Sequence, residues 1–358
     1  MAIKFDFIFK KLEFKFKAGT SRGVLMHKNT WFIRAFKEEH PGIIGYGECG
    51  PLAGLSIDDI PNFEKELEKE LSLISLKHCP NSIDDIFECA TTIASHLPSV
   101  RFGVEAALLD LHFGGTRKYF ENNFYNKGAS LLINGLVWMG DRQLMQQRFK
   151  EKIEAGFTCI KVKIGAIDFE DEMSLLENAR KQFSMAELEL RVDANGGFSF
   201  ETAPAVLNRL AKLNVHSIEQ PIKAGQPQYM AKLCANAKIP IALDEELIGV
   251  LNYNDKEVLL ETIKPQYIIL KPLLLGGFAS CLEWIKIAES KNIGWWITSA
   301  LESNVGLNAI CQFASWLHVK VPQGLGTGGL YANNIDSPLR IKKDQILYDS
   351  TAKWGKVL

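Results

Sequence analysis

Four charged residues stand at nearly even intervals in this chain: Asp193, Glu219, Asp244 and Lys271, separated by 26, 25 and 27 residues. Each closes a short apolar run: LELRVD, VHSIE, IPIALD and QYIILK. A strand and the helix that returns the chain to the next parallel strand take about that length. Each charge therefore falls at the same place in a repeating unit, the C-terminal tip of a parallel strand. In a β/α barrel these tips are where active sites are built. Three carboxylates converging there predict a site for a hard cation, with Lys271 beside it as an acid or base.

The 358 residues suffice for one large barrel and a smaller domain. Hydrophobic residues make up 47% and the formal net charge is −1, which argues against a broad electrostatic grip on nucleic acid or an anionic membrane. The seven cysteines are scattered with no C-x-x-C, so reduced thiols are expected. The opening MAIKFDFIFKK carries acid and lysines, unlike a signal peptide, and no uncharged apolar stretch reaches membrane-spanning length. A cytoplasmic protein acting on a small molecule is the expectation.

The N-terminal region alternates Phe5, Phe7 and Phe9 with Asp6, Ile8 and Lys10, the period of antiparallel strands. Amphipathic helices are expected near 57–75, 83–95 and 99–112. From Leu131 short apolar runs (LLINGLV, CIKVKI, LELRVDA, VHSIE, IPIAL, QYIIL, GWWIT) alternate with helical stretches, the texture of a parallel barrel. A weakly written last strand is placed within 316–328, and Gly156 suits the position just past a helix end. The fold class is α/β: a TIM-like barrel with an α+β capping domain formed by residues 1–128, a barrel over 129–325, and a segment over 326–358 packing back on the capping domain.

Lys161 and Lys163, two apart in CIKVKIG, share one face of the second barrel strand. Ammonium groups inside a barrel are expensive unless they have a role. Their closeness is expected to lower lysine basicity and to prepare a general base. In RVDAN, Asp193 and Asn195 share a face; a helix N-cap explains one such polar residue but not its regular partners in the next units. Oxygen ligands without Cys or His point to Mg²⁺, with Mn²⁺ as the alternative. Gly45–Gly50 matches G-x-G-x-x-G but leads into Pro51 rather than a helix, so it is read as a flexible loop over the barrel mouth and not as a dinucleotide site. The Gly19–Gly23 segment is read as another loop, whose Arg22 either contacts an anionic substrate or is an exposed turn arginine. No Ser-His-Asp arrangement or G-x-S-x-G is present, so acyl-transfer hydrolysis has no support.

Taken in order, Lys161-Val-Lys163, Asp193-Ala-Asn195, Glu219-Gln-Pro221, Asp244-Glu245 and Lys271-Pro272 resemble the enolase superfamily. A lysine pair on strand two with a lysine on strand six is the pattern of its muconate lactonizing enzyme subgroup. The stretch WWITSALESNVG lacks the histidine of the mandelate racemase subgroup. The resemblance implies a (β/α)7β barrel and a Mg²⁺ held by Asp193, Glu219 and Asp244. It implies Lys163 as the base that removes a proton beside a substrate carboxylate, Lys271 on the opposite face, and Lys161 tuning Lys163. Asn195 and Glu245 would stand behind these groups, and Ser299, Glu302 and the Gly328 backbone would line the pocket. Dipeptide epimerases of the subgroup carry acids near the eighth strand, where this chain reads Gly324-Leu-Gly-Thr-Gly-Gly329. That neutral wall suits a substrate without an ammonium group and favours elimination of water, a carbon–oxygen lyase reaction. An N-acylamino acid racemase or dipeptide epimerase is the rival, ahead of a Schiff-base aldolase or a non-catalytic barrel. Glu246 departs from the resemblance, where many relatives have a small residue.

Overall fold

A computed structural model describes residues 2–20, 23–74, 80–165 and 168–357. The N-terminal strands Ile3–Thr20, Gly23–Lys37 and His40–Cys49 form one antiparallel sheet in chain order. The alternation read from the phenylalanines is the pleat of the first strand, where Phe5, Phe7 and Phe9 pair with Ala35, Ile33 and Trp31. Helices Phe63–Leu73, Ile83–Thr91 and Pro98–His112 follow. The second begins with a reciprocal cap between Ser82 and Asp85. The third has Pro98 in its first turn, where the missing N–H costs nothing. This helix is buried along nearly its whole length and packs on the sheet.

The glycine segment Gly45–Gly50 is not a loop over the barrel mouth. Gly45 and Gly47 lie in the third strand, and a Cβ on either would overlap the backbone of helix Pro98–His112, at Ala107 and Gly103. The glycines are there because two backbones approach closely. The Gly19–Gly23 reading rests on Ser21 and Arg22, which lie outside the described residues.

Seven parallel strands make the second sheet, again in chain order: Gly135–Val137, Cys159–Lys163, Glu189–Asp193, Ser217–Glu219, Ile241–Leu243, Tyr267–Leu270 and Gly294–Ile297. Helices alternate with them, several started by the chemistry their sequence carries. Asp141 accepts from Leu144 N–H and Asp168 from Glu170 N–H, and prolines open helices Ala203–Lys212 and Pro227–Asn236. Gly156 has φ 83° just past helix Arg142–Glu154, a conformation that favours glycine. The eighth position holds no full strand. Gln323 bridges Ile133, Gly324 bridges Thr298, and these single contacts complete the ring.

The run LLINGLV divides in two. Leu131–Leu132 pairs with the C-terminal hairpin Leu339–Lys342/Gln345–Tyr348, and the barrel strand starts only at Gly135. The tail also reaches the first strand, through Lys15 N–H to the Leu330 carbonyl and Ala332 N–H to the Glu13 carbonyl. Among the described residues no helix is long and apolar enough to cross a membrane, and the described cysteines are free thiols.

Candidate active site

Strand register brings the charged tips together. Lys163, Asp193, Glu219, Ala242 and Tyr267 are lateral partners from strand two to strand six. Asp244 stands two residues beyond Ala242, and Lys271 four beyond Tyr267. A closed barrel tilts its strands and staggers their register, so a level ring at the mouth needs residues progressively further along each strand. Even spacing in the sequence becomes one ring of side chains because the stagger offsets the lateral pairing. Side chains two and four residues on from a partner keep its face, so all five charged groups point inward.

The ammonium groups interleave with the carboxylates. Lys161 Nζ donates to Glu219 at 2.6 Å and to Asp193 at 3.2 Å. Lys163 Nζ donates to Asp193 at 2.9 Å and also to Asn195 Oδ1. Lys271 Nζ donates to Asp244 and stands 4.0 Å from Glu219. Asn195 Nδ2 donates to Glu245 at 3.0 Å, so Asn195 links the Lys163 ammonium to that carboxylate. Asn195 and Gln220, each just past a ligand candidate, have φ 44° and 41°; such backbone strain is common at functional sites.

The expectation of lowered basicity is corrected for Lys161. Burial lowers Lys161, but Asp193 and Glu219 outweigh it and hold the group well above its usual range. Lys271 is raised against its own burial by Asp244, Glu219 and Glu245. Asp193 is buried too, yet Lys161, Lys163 and Lys271 pull it below the ordinary carboxylate range. Glu219 goes the other way, pushed up to about 7 by burial and by Asp193.

Among the described residues no three acidic, imidazole or thiol groups close into a metal cage by themselves. Like charges keep apart, and the ammonium groups lie between them. The set nonetheless fits a hard cation. Asp193, Glu219 and Asp244 are all buried, offer only oxygen, and converge from three adjacent strands. Glu219 Oε1 is buried and accepts no hydrogen bond, which leaves a carboxylate oxygen for a divalent ion. Glu246 adds no charge to this ring. Its oxygens accept from Gln220 Nε2 and Gly225 N–H, both at 3.0 Å, and Gln220 Oε1 accepts from the N–H groups of Asp244 and Glu246. Glu246 thus ties the loop after strand four to the end of strand five.

Above the ring lies a cavity of about 920 Å³. Lys161, Lys163, Asp193, Asn195, Glu245 and Lys271 form its charged floor, and Ser299 and the segment from Gly324 to Leu330 form one wall. Glu302 is not part of this wall. It is fully buried behind it, accepting from Ser299 Oγ at 2.6 Å and Ala300 N–H at 2.8 Å. Gly328 is also set back: Gly326, Thr327 and Gly329 face the cavity, while the Gly328 carbonyl accepts from Asn334. Arg22 lies outside the described residues. The sequence reading missed Trp138, whose ring centroid is 6.0 Å from Lys163 Nζ, and Arg148, which donates to the Trp138 and Met139 carbonyls. It also missed Leu25 and Leu52, contributed to the cavity from the N-terminal domain. The one signal for Trp138 was its place just past the first barrel strand.

The fold and the ring define the class. The profile of the family described as "Enolase C-terminal domain-like" matches residues 144–347, and the chain belongs to that family, in the enolase superfamily. Within it, the chain is 44% identical to o-succinylbenzoate synthase of Desulfotalea psychrophila over 356 residues, covering 92% of this chain and 95% of that protein. The crystal structure of MenC from the same organism superposes with a TM-score of 0.84 at 38% identity, covering 97% of this chain and all of that one. A dipeptide epimerase from Enterococcus faecalis, crystallised with Mg and the dipeptide L-Leu-L-Tyr, has the same fold: TM-score 0.84 at 19% identity, covering 97% of each chain.

Proposed function

We propose that this chain catalyses the Mg²⁺-dependent dehydration of 2-succinyl-6-hydroxy-2,4-cyclohexadiene-1-carboxylate to o-succinylbenzoate, a step of menaquinone biosynthesis. The observation that carries the reading is the pair Lys163 and Lys271. They flank the three buried carboxylates and, with Asp193, line the floor of a cavity whose wall at the eighth position is neutral and glycine-rich.

Asp193, Glu219 and Asp244 would hold a divalent cation, which would supply Lewis-acid stabilisation of the charge gathering on the substrate carboxylate. Lys163, as the free amine, takes the proton from the carbon beside that carboxylate. The resulting ammonium gives a proton to the ring hydroxyl, the C–O bond breaks, and water leaves with the ring now aromatic. One lysine serves both steps because it stands on one face of the ring. Lys271, kept cationic by Asp244, offsets the developing negative charge and contacts the ring by a cation–π interaction. Lys161 bridges Asp193 and Glu219 and fixes their separation. Asn195 orients the Lys163 ammonium.

An N-acylamino acid racemase or dipeptide epimerase is the second reading, favoured by two lysines on different sides of the ring. An epimerase needs an acceptor for the substrate ammonium, and the segment from Gly324 to Gly329 offers no acid. The test follows absorbance of the cyclohexadiene substrate with and without EDTA. Metal-dependent loss of the diene with formation of o-succinylbenzoate is expected. A chain that leaves the diene unchanged but racemises N-acylamino acids would reverse the order of the two readings.

A further inference from the structure

We propose that Glu105, a carboxylate of the N-terminal domain, is a positioning residue for Lys271; the assignment rests on the role given to Lys271 above. Helix Gly277–Ser290 follows strand six, and its cap residue, Gly276, has no side chain to receive the first N–H groups. An uncapped helix start in the interior is costly. Glu105, in the middle of helix Pro98–His112 and 1% exposed, supplies the missing acceptor. Its oxygens accept from Phe278 N–H and, at 3.3 Å, from Ala279 N–H. Burial pushes the Glu105 carboxyl up to about 8 against the pull of these two N–H donors and of Arg101, so the clamp rests on its hydrogen bonds. Gly276 and Gly277 both have positive φ, 93° and 94°, and a Cβ on Gly277 would overlap the carboxylate. The fit is one that only glycine allows.

The segment from Lys271 to this clamp is short and closed. The Lys271 carbonyl accepts from Leu274 N–H at 2.9 Å and Leu275 N–H at 3.1 Å, forming a single turn. Leu273 and Leu274 are buried, and Phe278 packs edge-on against Phe102 with centroids 5.2 Å apart. One end of this turn carries the lysine and the other is held by Glu105, so a shift of the clamp moves the lysine backbone. The next unit repeats the device. Glu48 of the third strand accepts from Ser303 N–H at 2.8 Å and Gly306 N–H at 3.0 Å, at the start of helix Asn304–Trp316 after strand seven. The N-terminal domain thus anchors two successive barrel helices through buried carboxylates.

The test compares Glu105→Gln and Glu105→Ala with Phe102→Leu, which loosens the same helix pair but leaves the carboxylate in place. Trace acetylation by acetic anhydride, read by mass spectrometry, gives the reactivity of Lys271 relative to Lys163 in each protein. The ratio is expected to rise at least threefold in both Glu105 variants and to stay within 1.5-fold of the parent in Phe102→Leu. Where the parent turns over the cyclohexadiene, kcat of Glu105→Gln is expected to fall about tenfold with KM within twofold. An unchanged labelling ratio in Glu105→Gln, or an equal rise in Phe102→Leu, overturns the proposal. A parent chain without dehydratase activity overturns the reaction assignment instead, and the labelling ratio still decides the positioning role.

Discussion

Lys163 and Asp193 are lateral partners on adjacent parallel strands, and their side chains meet at 2.9 Å above the pairing. The base proposed for the reaction is therefore ion-paired with a proposed metal ligand. A cation bound by Asp193 would share that carboxylate with the Lys163 ammonium.

Replacing Lys163 by Ala is expected to lower kcat for dehydration by about 10³-fold, within the usual range for loss of a general base. Lys271→Arg keeps a cation beside Asp244 and is expected to retain part of the dehydratase activity while losing racemisation. Steady-state kinetics and deuterium exchange at the substrate α-carbon check both. Exchange that persists in the Lys163/Lys271 double alanine variant would refute the assignment.

Glu219 sets a pH dependence for metal binding. Its folded-state pKa is raised to about 7, above its unfolded value, so its proton favours the fold and is retained at acid pH. That contribution to stability is present below the unfolded value and is lost as pH rises through about 7. A ligand must shed this proton, so metal affinity should rise as pH increases through the same window. The melting temperature without metal should fall from pH 5 to pH 8, and the increment given by Mg²⁺ should grow. An increment independent of pH between 5 and 8 contradicts this.

Gly47→Ala places a methyl group against the backbone at Gly103 in helix Pro98–His112. Overpacking of this kind costs about 1–3 kcal/mol, and contact with backbone leaves little room to relax. A loss near 3 kcal/mol in urea unfolding is expected, with a comparable effect from Gly45→Ala. A neutral result at both positions would mean that the helix can lift off the sheet.

Glu246→Ala leaves the Gly225 N–H without its carboxylate acceptor and removes one Gln220 partner. Gly225 is exposed, so the buried donor left unpaired is the Gln220 Nε2–H, and the cost is expected at about 2 kcal/mol. Gln220 also receives the Asp244 N–H, so the Mg²⁺ concentration at half-maximal thermal stabilisation should rise several-fold. Calorimetry with titrated Mg²⁺ reads both effects, and Glu246→Gln should recover most of the first.

The barrel was legible in the sequence because strand and helix lengths repeat, and a repeat survives without knowledge of contacts. The inward ring was legible for the same reason, since each charge closes an apolar run. What failed depended on distant parts of the chain. Gly45 and Gly47 look like a loop until helix Pro98–His112 is laid across them. Lys161 and Lys163 read as a mutually repelling pair because the carboxylates that dominate Lys161 arrive from other strands. Glu302 sits beside Ser299 in the chain but faces away from the cavity. Trp138 and Arg148 reach the cavity from the unit after strand one, where the only mark is the place of Trp138 just past that strand. The carboxylate of Glu105 left one trace, an acid in the otherwise apolar stretch FGVEAALL.

The eighth stave of the barrel is barely a strand, with Gln323 and Gly324 alone spanning the gap between Ile133 and Thr298. Few ladder bonds depend on it, so descendants of this chain can rewrite Gly326 and Gly329, where an added Cβ meets no close neighbour, at small cost to the rest of the sheet. The part of the molecule that faces a substrate's side chain is thus the part least committed to holding the frame together. New substrate preferences have an inexpensive place to begin, while the proton-transfer apparatus across the ring is inherited intact.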